Sequence, residues 1–235
     1  MESPHRRSYR LPKQQRSRAT FDRIVDTVER MIQTRPFRTI AIDDICAEAG
    51  VSQSSFYARF PDREALAEAL ADRYADRVRE SVERTQVRLL SEPDLTVERA
   101  VKILIRGYHE FIRDTTTLRL TVEEDAATHR RLAPTDSLVL EELAKFAEVV
   151  VGPLDREHLQ QLQFVSIICA GALSQWVGGY VRPLQREWWS DERFESELAR
   201  MVVAYLAAIG LVQGGEGDGA ATAPPPSSDA VAESG

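Results

Sequence analysis

The stretch Ile42-Asp43-Asp44-Ile45-Cys46-Ala47-Glu48-Ala49-Gly50-Val51-Ser52-Gln53-Ser54-Ser55-Phe56-Tyr57-Ala58-Arg59-Phe60 decides the fold. Ile42, Ile45, Cys46 and Ala49 recur at spacings of three and four, which makes one apolar helical stripe. Gly50 suits the left-handed residue that ends a helix and turns the chain. Val51 can plug the angle between two helices, and Ser52 is a preferred N-cap for the second. Phe56 and Phe60, four apart, point back to a core. Gln53, Ser54, Ser55, Tyr57, Ala58 and Arg59 then face outward, a short, polar, donor-rich surface suited to reading base edges. Two short helices and a tight turn form a helix-turn-helix, whose second helix fits the DNA major groove. Spacing alone also allows an ordinary hairpin in a helical bundle.

The flanks favour the first reading. Upstream, Phe21, Ile24, Val25, Val28, Met31 and Ile32 mark an amphipathic helix. Downstream, Pro61-Asp62-Arg63-Glu64-Ala65-Leu66 opens another helix with acids in its first turn. A basic arm, Arg6, Arg7, Arg10, Lys13, Arg16 and Arg18, precedes them all; it can neutralise phosphates or enter a minor groove, or remain a solvated terminus.

Residues 16–66 resemble the N-terminal domain of TetR-type transcriptional regulators. The match lies in Ala19 and Ile24 of the first helix, in Ile45-Cys46-Ala47-Glu48-Ala49-Gly50-Val51-Ser52, in Phe56-Tyr57-Ala58-Arg59-Phe60, and in Arg63-Glu64-Ala65-Leu66. The remaining chain matches only in length and helical character. The resemblance implies that Gln53, Ser54 and Ser55 approach base edges and that Tyr57 contacts a phosphate. Arg59 stands where histidine is common, and Arg63 where a lysine commonly contacts the DNA backbone. The expected DNA-binding set is therefore Arg16, Arg18, Ser52, Gln53, Ser54, Ser55, Tyr57, Ala58, Arg59 and Arg63. One departure concerns Ala41, where the family usually has a threonine that caps the helix and binds phosphate. Alanine supplies neither contact, although Asp44 could accept the Ala41 amide as half of a capping box. Thr39 is not credited with the missing role.

Net charge over the 235 residues is −7, but it is unevenly placed. Residues 1–63 hold 12 Lys+Arg against 8 Asp+Glu, and the rest hold 18 against 29. A basic head on an acidic body orients the head toward DNA. Arginine outnumbers lysine 27 to 3, a bias that extends far from the head and reads as genome composition more than phosphate recognition. Cys46 and Cys169 each sit inside an apolar stripe and read as small buried hydrophobes. No signal sequence and no span-length apolar run is visible, so a cytoplasmic protein without membrane contact is expected.

The fold class expected is all-α. Residues 1–15 form a flexible basic arm, 16–62 the DNA-binding domain, 63–212 a helical effector-binding and dimerisation domain, and 213–235, rich in Gly, Ala, Pro and Ser, a disordered tail. Helices are expected near 17–34, 42–48, 52–58, 62–90, 95–114, 116–130, 135–151, 155–182 and 191–210, with breaks signalled by Pro36, Gly50, Pro61, Pro93, Pro134, Gly152-Pro153 and Pro183.

The last two helices are the most apolar of the C-terminal part. Leu162, Val165, Cys169 and Ala172 on one, and Leu198, Val202, Tyr205 and Leu206 on the other, form the expected dimer interface. Ser190 is the expected N-cap of the second. The resemblance implies dimerisation through these helices, and two heads about 34–36 Å apart can read a near-palindrome. The effector pocket is expected around Tyr108, His109, Phe111, Ile112 and Glu123, closed by Trp176 and Tyr180; the aromatics point to a small hydrophobic or aromatic effector.

No catalytic constellation emerges. The four histidines are scattered, no His/Cys cluster has zinc spacing, and no Gly-rich phosphate loop or nucleophile elbow occurs. A non-enzymatic protein without a cofactor is expected. Its expected partners are double-stranded operator DNA, a second copy of itself and an unidentified effector. A DNA-binding or architectural protein without any effector is the alternative.

Overall fold

The structure, a computed structural model, describes residues 8–9, 15–123, 139, 141–142, 144–148, 150–178 and 189–212. Among the described residues seven α-helices follow in order: α1 (Gln15–Met31), α2 (Ile42–Ala49), α3 (Gln53–Tyr57), α4 (Arg63–Leu90), α5 (Val97–Glu123), α6 (Arg156–Gly178) and α7 (Asp191–Ala208). A 3₁₀ turn, Phe37–Thr39, joins α1 to α2, and further helical residues lie between 139 and 151. There is no strand among the described residues.

The turn between α2 and α3 forms as its residue types dictate. Gly50 sits at φ 62° and ψ 42°, the left-handed region, where an added Cβ carries a backbone penalty. Its amide donates to Ala47 O, and the Val51 amide donates to Cys46 O at 3.0 Å, so the last carbonyls of α2 are satisfied. Ser52 Oγ accepts the Ser55 amide at 3.2 Å and caps α3. At the other end of α2, Ala41 provides no side-chain cap. Asp44 does not take the expected capping-box role; it pairs with Arg35 Nη1 at 3.2 Å.

Phe56 and Phe60 are fully buried and pack with Phe21 of α1 and with Ile24, Val28, Ile45 and Leu66. The rings of Phe21 and Phe60 stack at 5.0 Å. This aromatic core fixes the angle at which α3 leaves the domain. The segment expected as a free arm takes part: Tyr9 is buried against Phe21 and Phe60, and its hydroxyl bonds Asp72 of α4.

α4, about 42 Å long at 1.5 Å per residue, joins the head to the body. Asp62 caps it by accepting the Ala65 amide at 2.7 Å. Arg73 reaches back to Asp22, Asp26 and Glu29 of α1, and Arg77 Nη1 to Glu29 Oε1 at 2.9 Å. Burial lowers the Arg73 pKa, but the hydrogen bonds and charges of Asp26 and Glu29 outweigh it, and the net shift is upward. α5 is the hub of the body and packs on α4, α6 and α7. At Gly107 it approaches α4 so closely that an added Cβ would lie 2.5 Å from Thr85 Oγ1.

The two helices expected at 95–114 and 116–130 are one through Glu123. Thr115 donates to Phe111 O at 2.6 Å and Thr116 to Ile112 O at 2.5 Å. Their hydroxyls bond back one turn and leave the helical ladder intact. Residues 124–130, the tail from 213, and the end of the helix expected to reach 182 lie outside the described residues. Ser190 caps α7 as expected, accepting the Arg193 amide at 3.2 Å.

Candidate nucleic-acid interface and effector cavity

α3 presents Gln53, Ser54, Tyr57 and Ala58 to solvent, with Tyr57 49% exposed. The Tyr57 ring stands edge-on to buried Phe56 at 5.5 Å, so its hydroxyl is held outward by a fixed base. Gln53 Nε2 donates to Asp43 of α2, which holds the amide in place beside the exposed face. Ser52, Ser54 and Ser55 form one hydroxyl cluster, with Ser52 Oγ 2.9 Å from each of the other two. Arg18 is exposed on α1, while the Arg16 side chain lies outside the described residues.

Two arginines expected on DNA are engaged inside the protein. Arg59 donates to Ser55 O at 2.6 Å and to Ser17 O and Oγ at 3.3 and 3.2 Å, tying α3 to α1. Arg63 donates to Phe37 O at 2.8 Å and Ile40 O at 2.5 Å, with its guanidinium 5.4 Å from the centre of the Phe37 ring. Both guanidiniums make charge-assisted hydrogen bonds to backbone carbonyls. They position the head and do not project from it. Arg38, on the 3₁₀ turn ahead of α2, is exposed and has no carboxylate partner among the described residues. Sequence reading missed it, because exposure at a short 3₁₀ turn has no pattern in the sequence.

A cavity of about 790 Å³ opens between α4, α5 and α6, with residues from the 139–151 segment and α7 completing its wall. Tyr108 and Phe111 line it as expected. His109 and Ile112, buried on the same helix, are not among its lining residues. His109 Nδ1 lies 2.7 Å from Glu195 Oε1 of α7, whose other oxygen is 3.3 Å from Arg106 Nε. Trp176 also leaves the wall: its ring stacks on Phe194 at 4.4 Å, and its Nε1 donates to Asp191 Oδ1 at 2.8 Å. The Glu123 side chain and Tyr180 lie outside the described residues. Val78, Leu104, Phe146 and Leu173 form wall that sequence reading did not assign. Cys169 lines the cavity too, and burial pushes its thiol up to about 11, so the sulfur stays protonated and poorly nucleophilic at neutral pH.

The expected dimer stripe faces largely inward. Val165, Leu198, Val202 and Leu206 are buried within the single chain, and Leu162, Cys169, Ala172 and Tyr205 are half-buried. The apolar side chains left in solvent are instead Leu159, Phe164, Ile167 and Ile168 of α6 and Met201 of α7. The reason is the width of the apolar surface. α6 carries hydrophobic residues nearly all round, so its periodicity does not say which stripe meets its own body.

Residues 24–70 match the family model of bacterial regulatory proteins of the tetR family. The head is thus similar to the tetR family of bacterial regulatory proteins. Over 85 residues it is 28% identical to the HTH-type transcriptional regulator EthR of Mycolicibacterium smegmatis, covering 36% of this chain and 39% of that relative. Over 43 residues it is 40% identical to EthR of Mycobacterium tuberculosis, covering 18% of this chain and 20% of the relative. The matched part thus spans well under half the length of these curated relatives. Among solved structures, a TetR-family regulator from Streptomyces coelicolor superposes with a TM-score of 0.59 at 20% identity, covering 81% of this chain and 95% of that one. FadR from Bacillus subtilis, solved in complex with stearoyl-CoA, gives 0.57 at 13% identity, covering 79% and 98%. These likenesses establish the shared fold.

The family match over the head and the geometry agree on the layout: a helix-turn-helix head with an exposed α3, and a helical body among the described residues. Among the described residues, no three metal-ligating side chains gather into a site, and no helix is long and apolar enough to cross a membrane.

Proposed function

We propose that this protein is a TetR-like transcriptional repressor that binds a near-palindromic operator as a homodimer and is released by a small hydrophobic or aromatic effector. The carrying observation is the α3 surface, held outward on a fully buried aromatic base. Gln53 and Ser54 offer hydrogen-bonding groups to base edges, and the Tyr57 hydroxyl offers one to a phosphate. Exposed Arg18 and Arg38 supply positive charge on the same head.

The outward apolar side chains of α6 and α7 support the dimer, because such a face is unusual on a monomer. The cavity supports the effector. Its α4 wall ends at Tyr74, next to the Arg73 ion pairs that hold α1. A shift of α4 on filling the cavity therefore moves the head. A coupling of about 1–3 kcal/mol would change DNA affinity roughly 5- to 150-fold. α5 offers a second route, since Thr117 Oγ1 donates to Gln33 Oε1 at 3.0 Å.

The test is recovery and sequencing of genomic fragments retained by the full chain at low salt. A shared inverted repeat with half-sites one helical turn apart is the expected result. Retention without any common sequence would reduce the protein to a nonspecific binder, and no retention would remove the DNA-binding reading. If the selected operator stays bound after every hydrophobic effector tried, the alternative without an effector gains.

A further inference from the structure

The surface of α3 carries no cation. The side chains exposed on it and on its C-cap are Gln53, Ser54, Tyr57 and Ala58. Arg59, next in sequence, is engaged by Ser55 O and by Ser17 of α1. The commonest specific contact in a major groove, an arginine or lysine forked onto guanine, is therefore not offered by this surface. The widest hydrogen-bonding group left on it is the Gln53 amide, so the way that amide faces decides what it reads.

An amide donates at one end and accepts at the other. Asp43 of α2 lies 2.5 Å from Gln53 Nε2. A carboxylate only accepts, so the nitrogen is the end that must turn toward it. The contact crosses the turn: left-handed Gly50 swings α3 back until residues ten apart in sequence touch. Neighbouring Asp44 is taken by Arg35 at 3.2 Å, whereas Asp43 has no cationic partner among the described residues. Its acceptor capacity is left for Gln53.

We propose that Asp43 is a positioning residue for base recognition: it pins the Gln53 nitrogen and turns Oε1 to the groove, so that each half-site is read at an adenine and guanine is rejected there. This rests on α3 being the base-reading surface. Adenine presents an N6 hydrogen for Oε1 to accept, and its N7 takes the second Nε2 hydrogen. Guanine presents O6 and N7, both acceptors, so its O6 would meet Oε1 with no hydrogen between them. Cytosine offers one donor without the adjoining acceptor, hence one bond where adenine forms two. Without Asp43 the amide turns over about its terminal torsion, which is roughly two-fold, and gives guanine a donor.

The test is binding-site selection from a randomised duplex library with the full chain, Asp43→Ala, Gln53→Ala and the double variant. Duplexes differing only at the selected adenine are then titrated by fluorescence anisotropy. The native chain is expected to favour adenine over guanine about 5- to 150-fold at one column of each half-site. Asp43→Ala should narrow that ratio about five- to tenfold, the worth of one exposed hydrogen bond to a charged group, and leave the other columns unchanged. Gln53→Ala should erase the column, and adding Asp43→Ala to it should change nothing further there. Circular dichroism checks folding; should Asp43→Ala lose helix, Asp43→Ser keeps a residue type suited to helix starts.

Guanine at that column in the native selection, or an adenine preference that survives Asp43→Ala intact, overturns the inference. So does an equal loss on every sequence, the signature of a carboxylate that only supports α2. An adenine column that Gln53→Ala leaves in place overturns it as well. If the native chain selects no sequence at all, α3 is not a base reader and the proposed function fails with it.

Discussion

Arg63 offers the sharpest test of the head, because position alone suggests a phosphate contact and the structure gives it internal work. Its guanidinium serves the carbonyls of Phe37 and Ile40, a residue with no exposed surface. Arg63→Ala removes two charge-assisted hydrogen bonds, each worth about 1.5–3 kcal/mol when fully formed. Arg63 is half-buried, so the low end applies, and its position over the Phe37 ring adds roughly 0.5 kcal/mol. The expected loss is about 3 kcal/mol. Arg63→Lys keeps the charge but not the fork, and should lose about half of that. Urea unfolding of the full chain, followed by circular dichroism, measures both. Salt dependence of DNA binding is the second readout, since each phosphate contact contributes a slope of about 0.9. A positioning role predicts unstable variants whose slope matches the native protein. An Arg63→Ala protein with the native urea midpoint and a slope lower by about one would refute the argument.

Tyr57→Phe should weaken binding about tenfold on every sequence, the loss of one charge-assisted hydrogen bond, whereas Gln53→Ala should relax preference at particular base pairs; a binding-site selection separates the two. Ile167→Glu should turn a dimer into a monomer in sedimentation without lowering the helical signal, because the side chain is 60% exposed in the single chain. Cys169 should resist alkylation at neutral pH and react with a midpoint near 11 instead of the ordinary 9. Its proton is held more tightly in the folded chain than in the unfolded one. Folding stability should therefore be constant below about 9 and fall as pH rises from there toward 11, and Cys169→Ala should flatten that decline.

The head was legible because its determinants are local. A glycine that must be left-handed, a serine cap and two phenylalanines four apart each announce themselves within a few residues. The internal roles of Arg59 and Arg63 were not legible, since their acceptors are main-chain oxygens that any residue could carry. The split expected in α5 near residue 115 does not occur, because the hydroxyls of Thr115 and Thr116 bond to carbonyls four residues back and the helix runs on. Most of the cavity wall escaped for a different reason, although Tyr108 and Phe111 were expected there. A void is defined by what three separate helices fail to fill, and no single helix records it. His109 and Trp176 illustrate this: each is apolar-faced and well spaced, yet one meets Glu195 and the other Phe194.

Tyr9 makes the N-terminus a strap. Its ring is gripped by α1 and by Phe60 beyond α3, while its hydroxyl and the neighbouring Ser8 are tied to Asp72 and Glu68 of α4. Any swing of α4 therefore pulls on the chain ahead of α1 and on the recognition helix at once.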